Sequence, residues 1–444
     1  MKNYLAQIAV VVFWAPMILS PVIAQPGRGG GEANPELTTN QASLENWQNL
    51  RFGMFIHWGP VALRGTEIGW SRGREVPYED YDSLYQDFNP VLFDAREWVS
   101  AARAAGMKYL ILVTKHHDGF ALWDSADTDY DIMETDFARD IVAEIARECE
   151  KQGLLFGTYY SILDWYHPDY PIKFNREVRK EDPNMPAYID FMKKQLTDLI
   201  ERYNTNILWF DGEWEDPWTH EMGMDLYAWA RQERDNLLIN NRVDKGRQGM
   251  EGTTMSLEFA GDFDTPEQQI GRFDTDSPWE SCITVGDQWA WKPNDDLKSS
   301  AELVRTLVQT VGGDGNLLLN VGPMLDGRIE KRQLKLLREV GRWLEVHGEA
   351  VYGTRGGPVP PGKWGVTTHK PGRIFLHLTD TKTRQVQIDP VDRMVAAARL
   401  LASDQEVDFQ QAGSSVSIRI PSELPDPEVN VIELVLNDEF LPVD

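Results

Sequence analysis

The 444-residue chain holds only two cysteines, Cys149 and Cys282. A disulfide-stapled scaffold needs more, and neither a CxxC pair nor zinc-knuckle spacing is present. One bridge is possible in an exported protein, but both residues read as buried thiols. Positive charge is also scarce: 44 Lys and Arg stand against 70 Asp and Glu, for a net charge of −26. Binding nucleic acid or another polyanion needs clustered cations, so those partners are excluded. Past the N-terminus no apolar run is long enough for a membrane span. No glycine-rich loop opens any predicted helix, which argues against a nucleotide-binding sheet.

The N-terminus reads as a targeting segment. Lys2 precedes an apolar run over residues 8–19, and Val22-Ile23-Ala24 has the small-residue pattern of a cleavage site. That run is short for a membrane span. A signal peptide over residues 1–24, cleavage after Ala24 and export to the periplasm or exterior are expected. Residues 25–43 form a leader, rich in Gly and Pro at its start.

Tryptophan is abundant. Thirteen of the 16 lie between Trp47 and Trp291. A flat apolar face with a donor on its edge suits a large aromatic core or a sugar cleft. The same region repeats one plan. Apolar runs at residues 52–56, 109–114, 154–161, 207–210 and 237–239 each lead into polar or aromatic residues. Helical patterns follow at 94–105, 140–151, 185–203 and 222–235. Further strands are predicted at 255–258, 280–285 and 316–321, and helices at 301–311 and 330–347, with one expected helix missing between Glu258 and Trp279. Buried strands alternating with helices make a parallel α/β fold, and working residues past the strand ends suit a (β/α)8-like barrel over residues 44–349. After Glu349 the texture changes to short alternating runs at 373–378, 385–388, 396–401, 416–420 and 431–435, separated by turn residues. This predicts a C-terminal β-sandwich over residues 350–444.

The most telling run is Ile207-Leu208-Trp209-Phe210-Asp211-Gly212. Alternation puts Trp209 and Asp211 on one side of the strand. A carboxylate there either caps the next element or does chemistry. Two further strand ends carry His57-Trp58 and His116-His117. A metal is not expected, since adjacent strand residues face opposite ways and His116 and His117 would not reach one ion without a bend. Glycoside cleavage fits better, needing two carboxylates, aromatic faces and neutral donors for hydroxyls. Asp211 is the expected nucleophile. Glu267 and Glu280 stand out as candidate proton donors. Other readings are a retaining glycosidase for a different sugar, a carbohydrate-binding protein without catalysis, and a metal-dependent hydrolase.

Five ordered stretches carry a resemblance: residues 52–59 (FGMFIHWG), 114–120 (TKHHDGF), 159–165 (YYSILDW), 208–212 (LWFDG) and 316–323 (NLLLNVGP). Together they resemble the α-L-fucosidases of glycoside hydrolase family 29, over roughly residues 47–352. The resemblance implies a (β/α)8-like barrel with a C-terminal β-sandwich, and retaining removal of terminal α-L-fucose from a fucosylated glycan without metal or organic cofactor. It makes Asp211 the nucleophile. It gives His57, His116, His117, Trp209 and Arg242 to the sugar, with one of Tyr159 and Tyr160, and puts Glu67 near the pocket. A Thr-Pro-Glu stretch favours Glu267 as acid/base over Glu280, whose Trp-Glu motif is also family-like. Trp289-Ala290-Trp291 departs from the family's Trp-Gly-Tyr, which affects the leaving-group side.

Overall fold

The computed structural model describes residue 37 and residues 39–440. The expected signal peptide and most of the leader lie outside the described residues. The end of the leader is helical: α1 spans Gln41–Leu50, capped by the Asn40 side chain, which accepts from the Ser43 N–H. Helical structure thus begins at Gln41, inside the expected leader, rather than with the barrel at residue 44.

The barrel strands are β1 (Phe52–Ile56), β2 (Tyr109–Lys115), β3 (Leu155–Ser161), β4 (Ile207–Asp211), β5 (Leu238–Ile239), β6 (Glu280–Thr284) and β7 (Asn316–Val321). They form one parallel sheet in the order β5-β4-β3-β2-β1-β7-β6. Helices α2 (Ala95–Ala104), α3 (Ile141–Gln152), α4 (Met185–Glu201), α5 (His220–Glu233), α6 (Ser300–Gly312) and α7 (Lys331–His347) cover its outside. Their ends follow local chemistry. Asp94 and Asp140 accept N-terminal N–H groups of α2 and α3, and Gly153 stops α3 in the left-handed region. Ser299 and Glu302 make a reciprocal capping box on α6.

Strand alternation separates two apolar layers. Phe55, Tyr109, Ile111, Val113, Tyr159, Ile207 and Trp209 fill the barrel interior. Met54, Ile56, Leu110, Leu112, Tyr160, Leu208 and Phe210 face the helices. The interior is tight enough to need Gly53, where a Cβ would sit 2.2 Å from the Tyr109 ring.

One predicted strand is corrected. Residues 255–258 are loop, with Met255 and Leu257 54% and 46% exposed; their alternation marked a surface turn. The place between β5 and β6 is taken by residues 262–268, extended but irregular. The Asn241 N–H donates to the Phe263 carbonyl on one side, and the Glu280 and Cys282 N–H groups donate to Asp264 and Pro266 carbonyls on the other. Parallel bridges pair Asn240 with Phe263 and Glu267 with Cys282. This segment closes the ring at its eighth position. Among the described residues no α-helix lies between α5 and α6.

The C-terminal region is built from antiparallel sheets of five and three strands around a separate apolar core. Strands at Arg373–Leu378, Gln385–Ile388, Arg393–Leu400, Ser415–Arg419 and Asn430–Phe440 match the predicted runs to within a few residues. Gly365–Lys370 and Phe409–Ala412 were too polar to show in the sequence. The sandwich is tied to the barrel: the Trp343 indole donates to the Val429 carbonyl, and Arg51 donates to the Thr354 carbonyl at 3.0 Å.

Candidate active site

A small hollow of about 60 Å³ opens at the C-terminal ends of the strands. His57, His116, His117, Tyr159, Trp209, Asp211, Arg242 and Glu267 all line it, joined by Phe55, Trp70, Trp214, Cys282 and Trp289. A larger hollow of about 720 Å³ lies outside the barrel against α2 and α7, and none of these side chains reaches it.

Asp211 ends β4, and Gly212 then turns the chain with φ near 105°, where a Cβ would strike Leu163. Each carboxylate oxygen has its own donor. Arg242 Nη1 donates to Oδ1 at 2.7 Å and the Tyr159 hydroxyl to Oδ2 at 3.0 Å. Burial alone would raise this carboxyl, but the charged guanidinium groups of Arg242 and Arg247 outweigh it and hold it below the usual aspartate value. The second nitrogen of the same guanidinium, Nη2, donates to Glu267 Oε2 at 2.9 Å. Arg242 therefore bridges the two carboxylates. It is itself fixed by Thr265 Oγ1 at 2.9 Å and lies over the Trp209 ring, 4.5 Å from its centroid.

The histidines are neutral. Burial drives His57 down to about 3 and His117 to about 4, and pushes His116 well below its usual value. The network also assigns two tautomers. Asn320 donates its amide N–H to the Trp289 carbonyl, so its Oδ1 faces His57 Nδ1 at 2.6 Å and must accept. Ser161 donates to the Leu163 carbonyl, so its oxygen accepts from His117 Nδ1 at 2.7 Å. Both Nε2 atoms are then bare acceptors, and that of His117 lies 3.7 Å from Asp211 Oδ2. His116 Nδ1 is buried with no partner among the described residues.

The adjacent histidines do share one pocket, contrary to the strand-alternation argument. β2 ends at Lys115, and past it the chain bends, bringing the two rings to 4.1 Å. Of the tyrosine pair, Tyr159 faces the hollow. Tyr160 is corrected: it points outward and donates to Gln195 of α4 at 2.8 Å. Glu280 is also corrected as a pocket residue. It is fully buried below the hollow, where it accepts from Trp209 Nε1 at 3.1 Å and from Tyr109. Glu67 does not line the hollow. Its carboxylate accepts from the Ile68, Trp289 and Ala290 N–H groups, clamping the loops that carry Trp70 and Trp289.

Sequence reasoning missed Phe55, Trp70, Trp214, Cys282, Asn320 and Ser161 as site residues, and reached Trp289 only through its departure from the family motif. Phe55 and Ser161 could have been found from alternation, being in phase with His57 and Tyr159. Asn320 is likewise in phase with the interior Leu318 on β7, whereas Trp214 and Trp289 depend on loop packing that no periodicity reports. Among the described residues no group of three His, Cys, Asp or Glu side chains is arranged to hold a metal ion.

The model of the α-L-fucosidase family matches residues 31–349. A tissue α-L-fucosidase of Bos taurus is 31% identical over 356 residues, covering 72% of each chain. The human tissue α-L-fucosidase is 30% identical, covering 75% of this chain and 74% of its own. Among solved structures, α-L-fucosidase isoenzyme 1 of Paenibacillus thiaminolyticus superposes with a TM-score of 0.80 at 35% identity, over 90% of this chain and 99% of its own. The α-fucosidase of Thermotoga maritima, in complex with a mechanism-based inhibitor, gives a TM-score of 0.73 at 29% identity, over 87% and 96%. With its barrel, its sandwich and a family match across most of its length, the chain belongs to the α-L-fucosidases of glycoside hydrolase family 29.

Proposed function

We propose that the chain removes terminal α-L-fucose from fucosylated glycans with retention of configuration, Asp211 serving as nucleophile and Glu267 as acid/base. The observation that carries this reading is the single guanidinium of Arg242 bonded to both carboxylates. In the first step Asp211 attacks the anomeric carbon, the glycosidic C–O bond breaks, and Glu267 gives its proton to the departing oxygen. The product is a fucosyl ester on Asp211. In the second step Glu267 takes a proton from water, whose oxygen attacks the same carbon, and Asp211 leaves as carboxylate.

The other groups fit that cycle. The electrostatic balance keeps Asp211 ionised, as a nucleophile requires. To act as donor, Glu267 carries a proton and exchanges Arg242 for the glycosidic oxygen. Neutral His57 and His117 accept hydrogen bonds from sugar hydroxyls through their bare Nε2 atoms. Trp209, Trp214 and Trp289 offer faces to the apolar side of the ring. The N-terminal pattern supports export with cleavage near Ala24.

Hydrolysis of an aryl α-L-fucoside tests the assignment. Asp211→Ala should lose at least about a thousandfold in kcat, and azide should restore turnover as the β-fucosyl azide. Glu267→Ala should lose less on substrates with good leaving groups, and azide should give the α-azide. An active Asp211→Ala enzyme would sink the mechanism.

A further inference from the structure

Below the sugar pocket sits a carboxylate that the reaction does not touch. Glu280 opens β6 and is completely buried. Its oxygens reach to two other strands: Oε1 accepts from Trp209 Nε1 on β4 at 3.1 Å, and Oε2 accepts from the Tyr109 hydroxyl on β2. The Trp47 indole of α1 faces the same carboxylate, and Asn316 of β7 faces the Tyr109 hydroxyl. The Cys282 thiol lies two residues along β6. No cation among the described residues pairs with Glu280. Arg51, beside Tyr109, is committed to Asp314 and the Thr354 carbonyl, and Arg242 lies across the Trp209 ring.

A carboxylate buried without a counter-charge is costly. The facing donors explain why the residue is Glu. An ionised carboxylate accepts from both with charge assistance, while a glutamine would offer one neutral acceptor and an N–H that Tyr109 would have to turn to accept. What the arrangement holds is the Trp209 indole. On that ring rests the Arg242 guanidinium, and the Tyr159 ring stacks at 5.6 Å and 20°. Arg242 and Tyr159 are the two donors to Asp211.

We propose that Glu280 is a positioning residue: it locks the Trp209 ring that supports Arg242 and Tyr159, and so aims both hydrogen bonds at Asp211. This rests on Asp211 being the nucleophile. The lock depends on charge. A proton on Glu280 makes one acceptor a donor, so the Tyr109 hydroxyl must turn to accept it, and the charge-assisted bonds that hold the carboxylate give way to weaker neutral ones. Burial pushes this carboxyl up to about 7 against the opposing bonds from Tyr109 and Trp209 and the facing Trp47 indole, so the lock is tight above neutral pH and loosened below it.

The test is kcat/KM against pH for wild type, Glu280→Gln and Tyr109→Phe. Glu280→Gln resembles the protonated lock at every pH. It should fall about ten- to a hundredfold below wild type near pH 8, with the gap closing to about threefold near pH 5.5. A purely structural role would lower activity by the same factor at both. Tyr109→Phe removes a donor to the charged form, so the wild-type inflection near neutrality should move to higher pH. A pH-independent ratio in Glu280→Gln, or an unmoved inflection in Tyr109→Phe, overturns the proposal. If Glu280→Gln does not fold, Tyr109→Phe decides. Azide rescue of Asp211→Ala reports separately on the nucleophile, so the two readings fail independently.

Discussion

The two halves of the barrel reach the same pocket by different means. From β1 to β4 each strand is fully or almost fully buried and a covering helix follows each one. His57, His116, His117, Tyr159 and Asp211 leave those strand ends, their directions set by the pleat and the packing on either face. From β5 to α6 the regular plan lapses. β5 has two residues, the next strand position is a string of isolated bridges, and no α-helix covers it. Yet this half supplies Arg242, Glu267 and Trp289. Its rigidity comes from side chains: Asp264 accepts from Thr254 and Asn241, and Thr265 links Asn241 to Arg242. Where helices pack a strand, apolar burial fixes the site; where they are missing, buried polar networks must.

Asp262 is the sharpest place to challenge that contrast. It is buried at the start of the irregular segment. It accepts from Thr39, Tyr227, the Ile239 N–H and both ways from Arg231, itself 8% exposed. Asp262→Ala strands a buried arginine and should cost about 3–5 kcal/mol of unfolding free energy. In the regular half, removing the α3 cap by Asp140→Ala should cost about 1 kcal/mol. Urea denaturation of both variants measures the difference. Equal losses would mean that the irregular half is held by packing after all.

The same division explains what could be read from the sequence. The strands β1 to β4 show as apolar runs bounded by polar residues, so the fold class, Asp211 and the strand-end histidines were legible. The strand expected at 255–258 failed because Met255 and Leu257 alternate on the surface, while the true segment 262–268 contains three carboxylates and a proline. Its partners, Arg231, Thr254 and Asn241, lie far off in sequence or in loops without period. Glu280 was misplaced for a related reason: a glutamate at a strand start looks the same whether it faces a pocket or two hidden donors.

The histidines set the next contrast. An exposed histidine titrates near 6.5, whereas burial holds His57 at about 3 and His117 at about 4. Their folded values lie below the unfolded one, so as pH falls below 6.5 the unfolded chain binds protons that the folded chain refuses. Each then removes stability at about 1.4 kcal/mol per pH unit until its folded value is reached. Stability should be full above pH 6.5 and decline from there toward pH 4. His57→Gln, which keeps a neutral hydrogen-bonding group, should flatten the slope. An unchanged slope would mean that His57 is protonated in the folded enzyme.

Tyr159 and Tyr160 offer the finest comparison, since one peptide bond separates them and the pleat sends them to opposite layers. Tyr159 donates to Asp211, and Tyr160 donates to Gln195 beneath α4. Each phenylalanine variant deletes one hydroxyl and leaves the ring, so packing is nearly constant. Losing the Asp211 bond should cost about tenfold in kcat, the worth of one hydrogen bond to a charged group, with little change in stability. Losing the Gln195 bond should cost about 1 kcal/mol of stability and leave kcat within about twofold. Steady-state kinetics and a melting curve on the two variants separate the effects. If Tyr160→Phe slowed catalysis as much as Tyr159→Phe, the barrel interior and the helix layer would be coupled through β3, and the pocket could not be treated as the work of its inner face alone.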